Sequence, residues 1–263
     1  MISRPFDMQM KAFSRMWVGL VFLYFCPTLS HAVSPVKWFC DRGPINILFV
    51  GNSYVIYNDL PEMLESMSQL LVGKACISAA SVSKPAYSLQ RHWVDPEARN
   101  AIQRSGWHYV VLQDQSQMPI QKAEVLLDYS SRFDREIAAV GAKTILFETW
   151  PTQLNPERLL EIRSSYARAA SAQGSIIAPV GQVWSALLRM EPDSSLYSKD
   201  GSHPSVYGSF VAACTFLNVL ADERPVKCPT NPRWGISLEM ARSTELAISR
   251  TLGDVGQFDF SKR

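Results

Sequence analysis

Three side chains in this 263-residue chain have the right chemistry to act together. Ser53 stands in Phe49-Val50-Gly51-Asn52-Ser53-Tyr54, just past an apolar, β-branched run. Asp200 and His203 are three residues apart in Ser198-Lys199-Asp200-Gly201-Ser202-His203-Pro204-Ser205. A serine hydroxyl becomes a nucleophile when an imidazole removes its proton. The imidazole in turn needs a carboxylate to hold its tautomer and stabilise its charged form. Each segment alone reads more plainly, Ser53 as a helix cap and Asp200-His203 as a polar loop. Only the combination points to acyl chemistry.

The elements that must position these residues alternate between short apolar runs and longer amphipathic stretches. Strands are expected at 45–50, 75–82, 108–113, 144–148 and 175–179, from continuous apolar or β-branched runs. Helices are expected at 60–71, 89–103 with a break at Pro96, 122–140, 157–172, 183–190, 207–220 and 238–252. Apolar strands separated by helices imply a parallel sheet covered on both faces. Ligands of such sheets lie beyond the carboxyl ends of the strands. Ser53 is at one such end. His108 opens its strand, at the opposite end of the sheet, and is set aside. The G-x-S-x-G elbow is absent, since Val55 fills its last position, which argues against the α/β-hydrolase fold.

Gly51-Asn52-Ser53 resembles the first block of the GDSL/SGNH hydrolases, and Asp200-Gly201-Ser202-His203 matches their last block, Asp-x-x-His. The resemblance implies a flavodoxin-like three-layer α/β/α sandwich, a five-stranded parallel sheet of order 2-1-3-4-5. It implies a serine esterase in which Ser53, Asp200 and His203 form a triad. In that family a glycine after the second strand supplies an oxyanion donor, but Ser83-Lys84-Pro85-Ala86-Tyr87-Ser88 has none. Pro85 lacks an N–H, but Ala86 or Ser88 can offer a backbone donor beside the Ser53 N–H, with Ala86 the choice taken. The family's third block supplies an asparagine amide. Here Leu112-Gln113-Asp114-Gln115-Ser116 looks like a subgroup that uses glutamine, with Gln115 first choice and Gln113 second. Asn52, His92 and Trp150 are candidate substrate-binding residues, Trp150 as a surface for stacking a sugar ring.

The N-terminal 32 residues read as a signal peptide. Arg4, Lys11 and Arg15 precede an apolar run from Met16 to Cys26, and Ser30-His31-Ala32 fits a cleavage site. The remainder reads as a single domain over 40–263, exported to a periplasm or beyond, with no stable membrane anchor after cleavage. Losing Arg4, Lys11, Arg15 and Asp7 leaves acidic and basic residues equal in number, so no overall field favours nucleic acid. Cys40, Cys76, Cys214 and Cys228 remain, and their even number in an exported chain points to disulfides, expected as Cys40–Cys76 and Cys214–Cys228. No C-x-x-C pair, histidine-ligand spacing or nucleotide-binding glycine motif is present, so no metal or cofactor is expected. The favoured substrate is a carboxylic ester, an acetyl ester on a glycan foremost. Acyl transfer through the same triad and non-catalytic glycan binding are the alternatives.

Overall fold

Strand β1, Ile45–Gly51, is the axis of the molecule. In the computed structural model, which describes residues 43–74, 76–104, 106–221 and 226–255, it lies second from one edge of a five-stranded sheet. Its parallel partners are β2, Ile77–Ser83, on one side and β3, Tyr109–Leu112, on the other. β4, Lys143–Phe147, and β5, Ile176–Ala178, complete the order β2-β1-β3-β4-β5, all parallel. The order and direction are those implied by the sequence. All described residues belong to one compact unit. The expected signal peptide and Cys40 lie outside the described residues.

Side chains of β1 alternate between two cores, as the two-residue period of a strand requires. Ile47 and Phe49 face one layer, formed by α2 (Leu60–Val72), α8 (Val180–Met190), α9 (Val206–Leu220) and α10 (Leu238–Val255). Leu48 and Val50 face the other, formed by α3 (Leu89–Val94), α4 (Pro96–Gln103), α6 (Ala123–Ala139) and α7 (Leu159–Gln173). The break expected at Pro96 is real: Asp95 ends α3 and caps α4, its side chain accepting from the Glu97 N–H. Two short helices were not anticipated, α1 (Ser53–Ile56) and α5 (Met118–Gln121). A four-residue turn is too short to show a periodic pattern.

β2 is an edge strand, and α2 covers its outward amides. Glu65 accepts from the Ala79 N–H at 2.5 Å and Ser68 from the Ile77 N–H at 3.2 Å. Cys214 of α9 is bonded to Cys228, with 5.6 Å between their Cα atoms, as expected from sequence. Among the described residues no helix is long and apolar enough to cross a membrane.

β4 runs directly into Glu148, Thr149 and Trp150, all buried. One Glu148 oxygen accepts from Gln182 Nε2 at 2.9 Å, and the other finds no partner among the described residues. Burial pushes this carboxyl up to about 7. The folded state therefore holds more protons than the unfolded one between roughly pH 4.5 and 7, and stability falls as pH rises through that window. Glu148→Gln removes the dependence. Its stability relative to wild type should improve from pH 5 to pH 8 by up to roughly 3 kcal/mol, read from urea unfolding. A difference that does not change with pH would contradict this account.

Candidate functional site

The site is built where β1 ends. Gly51 is needed there for close approach, not for an unusual backbone angle: a Cβ would meet Gln113 Oε1 and Val55 Cγ2, each at 2.7 Å. Asn52 follows in extended conformation and caps α1, its Oδ1 accepting from the Tyr54 N–H at 3.1 Å. The Asn52 N–H donates to Gln113 Oε1 at 2.9 Å. Its Nδ2 donates to the carbonyl oxygens of Tyr87 at 3.0 Å and Asp114 at 3.4 Å. Asn52 thereby ties the turn after β1 to the loops after β2 and β3. Ser53 is the first residue of α1, half-buried, and its N–H has no protein acceptor among the described residues.

Asp200 and His203 reach Ser53 on a tight loop before α9. One Asp200 oxygen accepts the N–H groups of Ser202 and His203, each at 2.9 Å. The other is 2.5 Å from His203 Nδ1. His203 Nε2 lies 2.9 Å from Ser53 Oγ. An ionised carboxylate only accepts, so Nδ1 carries a proton and donates to Asp200. The neutral ring then has a bare Nε2, which accepts from the Ser53 hydroxyl. The hydrogen bonds from His203 and then from the Ser202 N–H pull the Asp200 carboxyl down to about 2. It is therefore ionised at neutral pH.

Aromatic rings fix this loop. Trp150 is stacked between Tyr54, at 4.7 Å, and Trp184, at 4.0 Å, and its Nε1 donates to the Ser202 carbonyl at 3.0 Å. The Tyr54 hydroxyl shares a 2.8 Å hydrogen bond with Ser202 Oγ. Tyr57 lies face-on to the imidazole of His203, with ring centres 4.3 Å apart. Asn58 has a left-handed φ of 56°, a conformation that asparagine tolerates better than most residues. Its Nδ2 is within reach of Pro204 O at 3.3 Å, Ser205 O at 3.1 Å and Ser209 Oγ at 2.9 Å. Tyr57 and Asn58 escaped the sequence reading. The one local signal was the pair Asn58-Asp59 ahead of a helix.

Solved structures share this arrangement of strands and helices. A protein from Slackia heliotrinireducens assigned to the SGNH hydrolases matches with a TM-score of 0.59 at 24% identity, over 67% of this chain and 99% of that one. This chain has the SGNH-hydrolase fold. A DUF4886 family protein from Bacteroides uniformis matches with a TM-score of 0.64 at 19% identity, over 80% of this chain and 95% of that one. The lipase/acylhydrolase from Enterococcus faecalis matches with a TM-score of 0.55 at 12% identity, over 71% and 100% of the two chains. No protein-family model and no curated protein matches the sequence.

Several residues expected at the substrate surface of this SGNH fold lie elsewhere. Asn52 is 3% exposed with every polar atom of its side chain engaged, so it builds the turn and does not meet a substrate. His92 is buried, and its Nε2 donates to the Gly51 carbonyl at 2.7 Å. Burial pushes its pKa down, which favours the neutral ring. Trp150, also buried, is unable to stack on a sugar. Gln113 is wholly buried, with Oε1 held by the Asn52 N–H and Nε2 donating to the Asp114 carbonyl, which removes it as a donor to substrate. Gln115 is half-buried, and its Nε2 has only a long 3.4 Å contact with Ser116 Oγ. Ala86 is exposed, at the third position of a turn closed by Tyr87 N–H to Lys84 O, with φ 58° where glycine is usual. Its N–H has no protein acceptor among the described residues. No group of three or more His, Cys, Asp or Glu side chains suited to a metal is found among the described residues.

The Asn58 bridge joins the two halves of the site and can be cut. Asn58→Ala loses its side-chain hydrogen bonds and fits the left-handed backbone less well, so it should lower stability by about 1–3 kcal/mol. Asn58→Gly relieves the backbone alone and should recover only part of that loss. Thermal unfolding of the three proteins orders them, and an alanine variant as stable as wild type would refute the bridge.

Proposed function

We propose that this protein is a serine esterase that cleaves carboxylic esters through an acyl-enzyme, with Ser53, His203 and Asp200 as its triad. The observation that carries the reading is the unbroken series Ser53 Oγ, His203 Nε2, His203 Nδ1 and Asp200 at the carboxyl end of β1. The names of structural neighbours, SGNH hydrolase and lipase/acylhydrolase, favour the same chemistry.

Ser53 Oγ attacks the ester carbonyl as its proton passes to His203 Nε2. The imidazolium is stabilised by Asp200 and by the face of Tyr57. The oxyanion that forms is met by the Ser53 N–H, with the Ala86 N–H and the Gln115 amide as its further donors. His203 then returns the proton to the departing alkoxide, the carbon–oxygen bond breaks and the acyl group stays on Ser53. Water enters, gives its proton to His203 and attacks the acyl carbon. Collapse of that intermediate releases the acid and restores the serine hydroxyl. No cofactor is required.

The glycan half of the expected substrate loses its support, because His92 and Trp150 are buried. An aromatic surface borders the pair instead: Tyr57 is exposed and lies face-on to His203. A short-chain ester with an aryl leaving group, such as a nitrophenyl acetate, therefore suits a first assay.

Ser53→Ala and His203→Ala should each lower turnover of that ester by roughly 10³-fold or more. Asp200→Asn offers an amide in place of the carboxylate and favours the wrong tautomer, with a loss of similar order. A phosphonate should label wild type and leave Ser53→Ala unlabelled. Wild-type turnover by Ser53→Ala would overturn the proposal.

A further inference from the structure

We propose that Asp114, wholly buried two residues past β3, is a positioning residue that sets the spacing of the oxyanion donors. The inference rests on the esterase reading and adds to it the residue that holds three separate loops in register.

Four donors from the loops after β1, β2 and β3 converge on this one residue. Asp114 Oδ1 accepts the Leu89 N–H at 2.9 Å and the Gln115 N–H at 2.8 Å. The Asp114 carbonyl accepts from Asn52 Nδ2 at 3.4 Å and from Gln113 Nε2. The proposed oxyanion donors sit immediately beside these anchors. Ser53 follows Asn52, Ala86 precedes Leu89 by three residues, and Gln115 is itself an anchor. An oxyanion hole acts only when its donors converge on one point about 2.7–3.1 Å away. The loops after β2 and β3 have no covalent reason to keep that spacing; Asn52 reaches a carbonyl in each, and the Asp114 carboxyl accepts a backbone N–H from each.

Its environment fits a structural acceptor better than a group exchanging protons with substrate. The side chain is inaccessible, and Oδ2 has no partner among the described residues. Burial pushes the carboxyl up to about 6 against the two amide hydrogen bonds. A neutral amide oxygen at the same place accepts the same two N–H groups, so asparagine should replace aspartate here, whereas alanine should not.

The test compares Asp114→Asn and Asp114→Ala on nitrophenyl acetate, with unfolding curves at the assay temperature. Asp114→Ala should lower kcat by about 10–10²-fold with KM within about threefold of wild type, since misplaced donors act on the transition state. Asp114→Asn should restore kcat to within about threefold. A folded alanine variant with wild-type kcat, an equal loss in both variants, or a change confined to KM would each overturn the inference. If the alanine variant does not fold, Leu89→Pro cuts the same bond from the other side. Leu89 is the first residue of α3, where proline is tolerated, and Ser88 before it is extended, as proline requires. Wild-type kcat in folded Leu89→Pro would then overturn the inference. The Ser53→Ala control separates the two claims. Its full activity would remove the esterase reading itself. Its inactivity beside a fully active, folded Asp114→Ala would remove only the role of Asp114.

Discussion

The hydrogen bond between Ser53 and His203 joins positions 150 residues apart, and both side chains are only half-buried. A solvent-exposed contact of this kind contributes about 1 kcal/mol and is too weak to bring its own partners together. Its geometry is inherited from the surroundings. On the serine side, the end of β1 is pinned by Asn52, Gln113 and His92. On the histidine side, the stacked Tyr54, Trp150 and Trp184 form a rigid wall, and Trp150 holds the Ser202 carbonyl. Asn58 links the two sides directly. Apart from the exposed Asn58, these supports are buried, so the pair at the surface is carried largely by interactions that water does not dilute.

The same edge of the sheet concentrates polar groups in the interior. Asn52, His92, Gln113, Asp114, Glu148 and Thr149 are all buried within reach of the strand ends. Most of them bond backbone groups that the strands leave unpaired where their ladders stop, which is the cost of turning loops inward at a sheet edge. Asp114 and Glu148 go further, because each keeps an oxygen without a partner among the described residues and each has a raised pKa. Such groups reduce stability. They are found where several loops must be held to a fixed spacing, a constraint that apolar packing alone, which has no directionality, meets poorly.

Much of this was legible in the chain. The apolar runs around Phe49, Val111 and Ile145 marked strands buried on both faces, and Pro96, Gly141 and Gly174 marked helix boundaries. The short spacing from Asp200 to His203 marked a local pair, because three residues of loop can close only a small ring. The residues that misled were Asn52, His92, Trp150 and Gln113. All lie just after or near a strand end, where substrate-facing and core-facing positions alternate over one or two residues. Composition does not distinguish a tryptophan that stacks on a sugar from one that stacks on Tyr54 and Trp184. Tyr57 and Asn58 were invisible for the opposite reason, since their partners lie far away in sequence.

The sequence by itself determined the layered α/β/α architecture, the strand order through its resemblance to known folds, and the choice of Ser53, Asp200 and His203 as the candidate set. Those follow from periodicity and from local spacing, which a chain carries in one dimension. The tertiary structure alone decided which polar side chains face inward, which rings pack on which, and that Asp114 gathers three loops. Burial and hydrogen-bond partnership depend on contacts between segments far apart in the chain, and these exist only once the sheet has brought the carboxyl ends of its strands together.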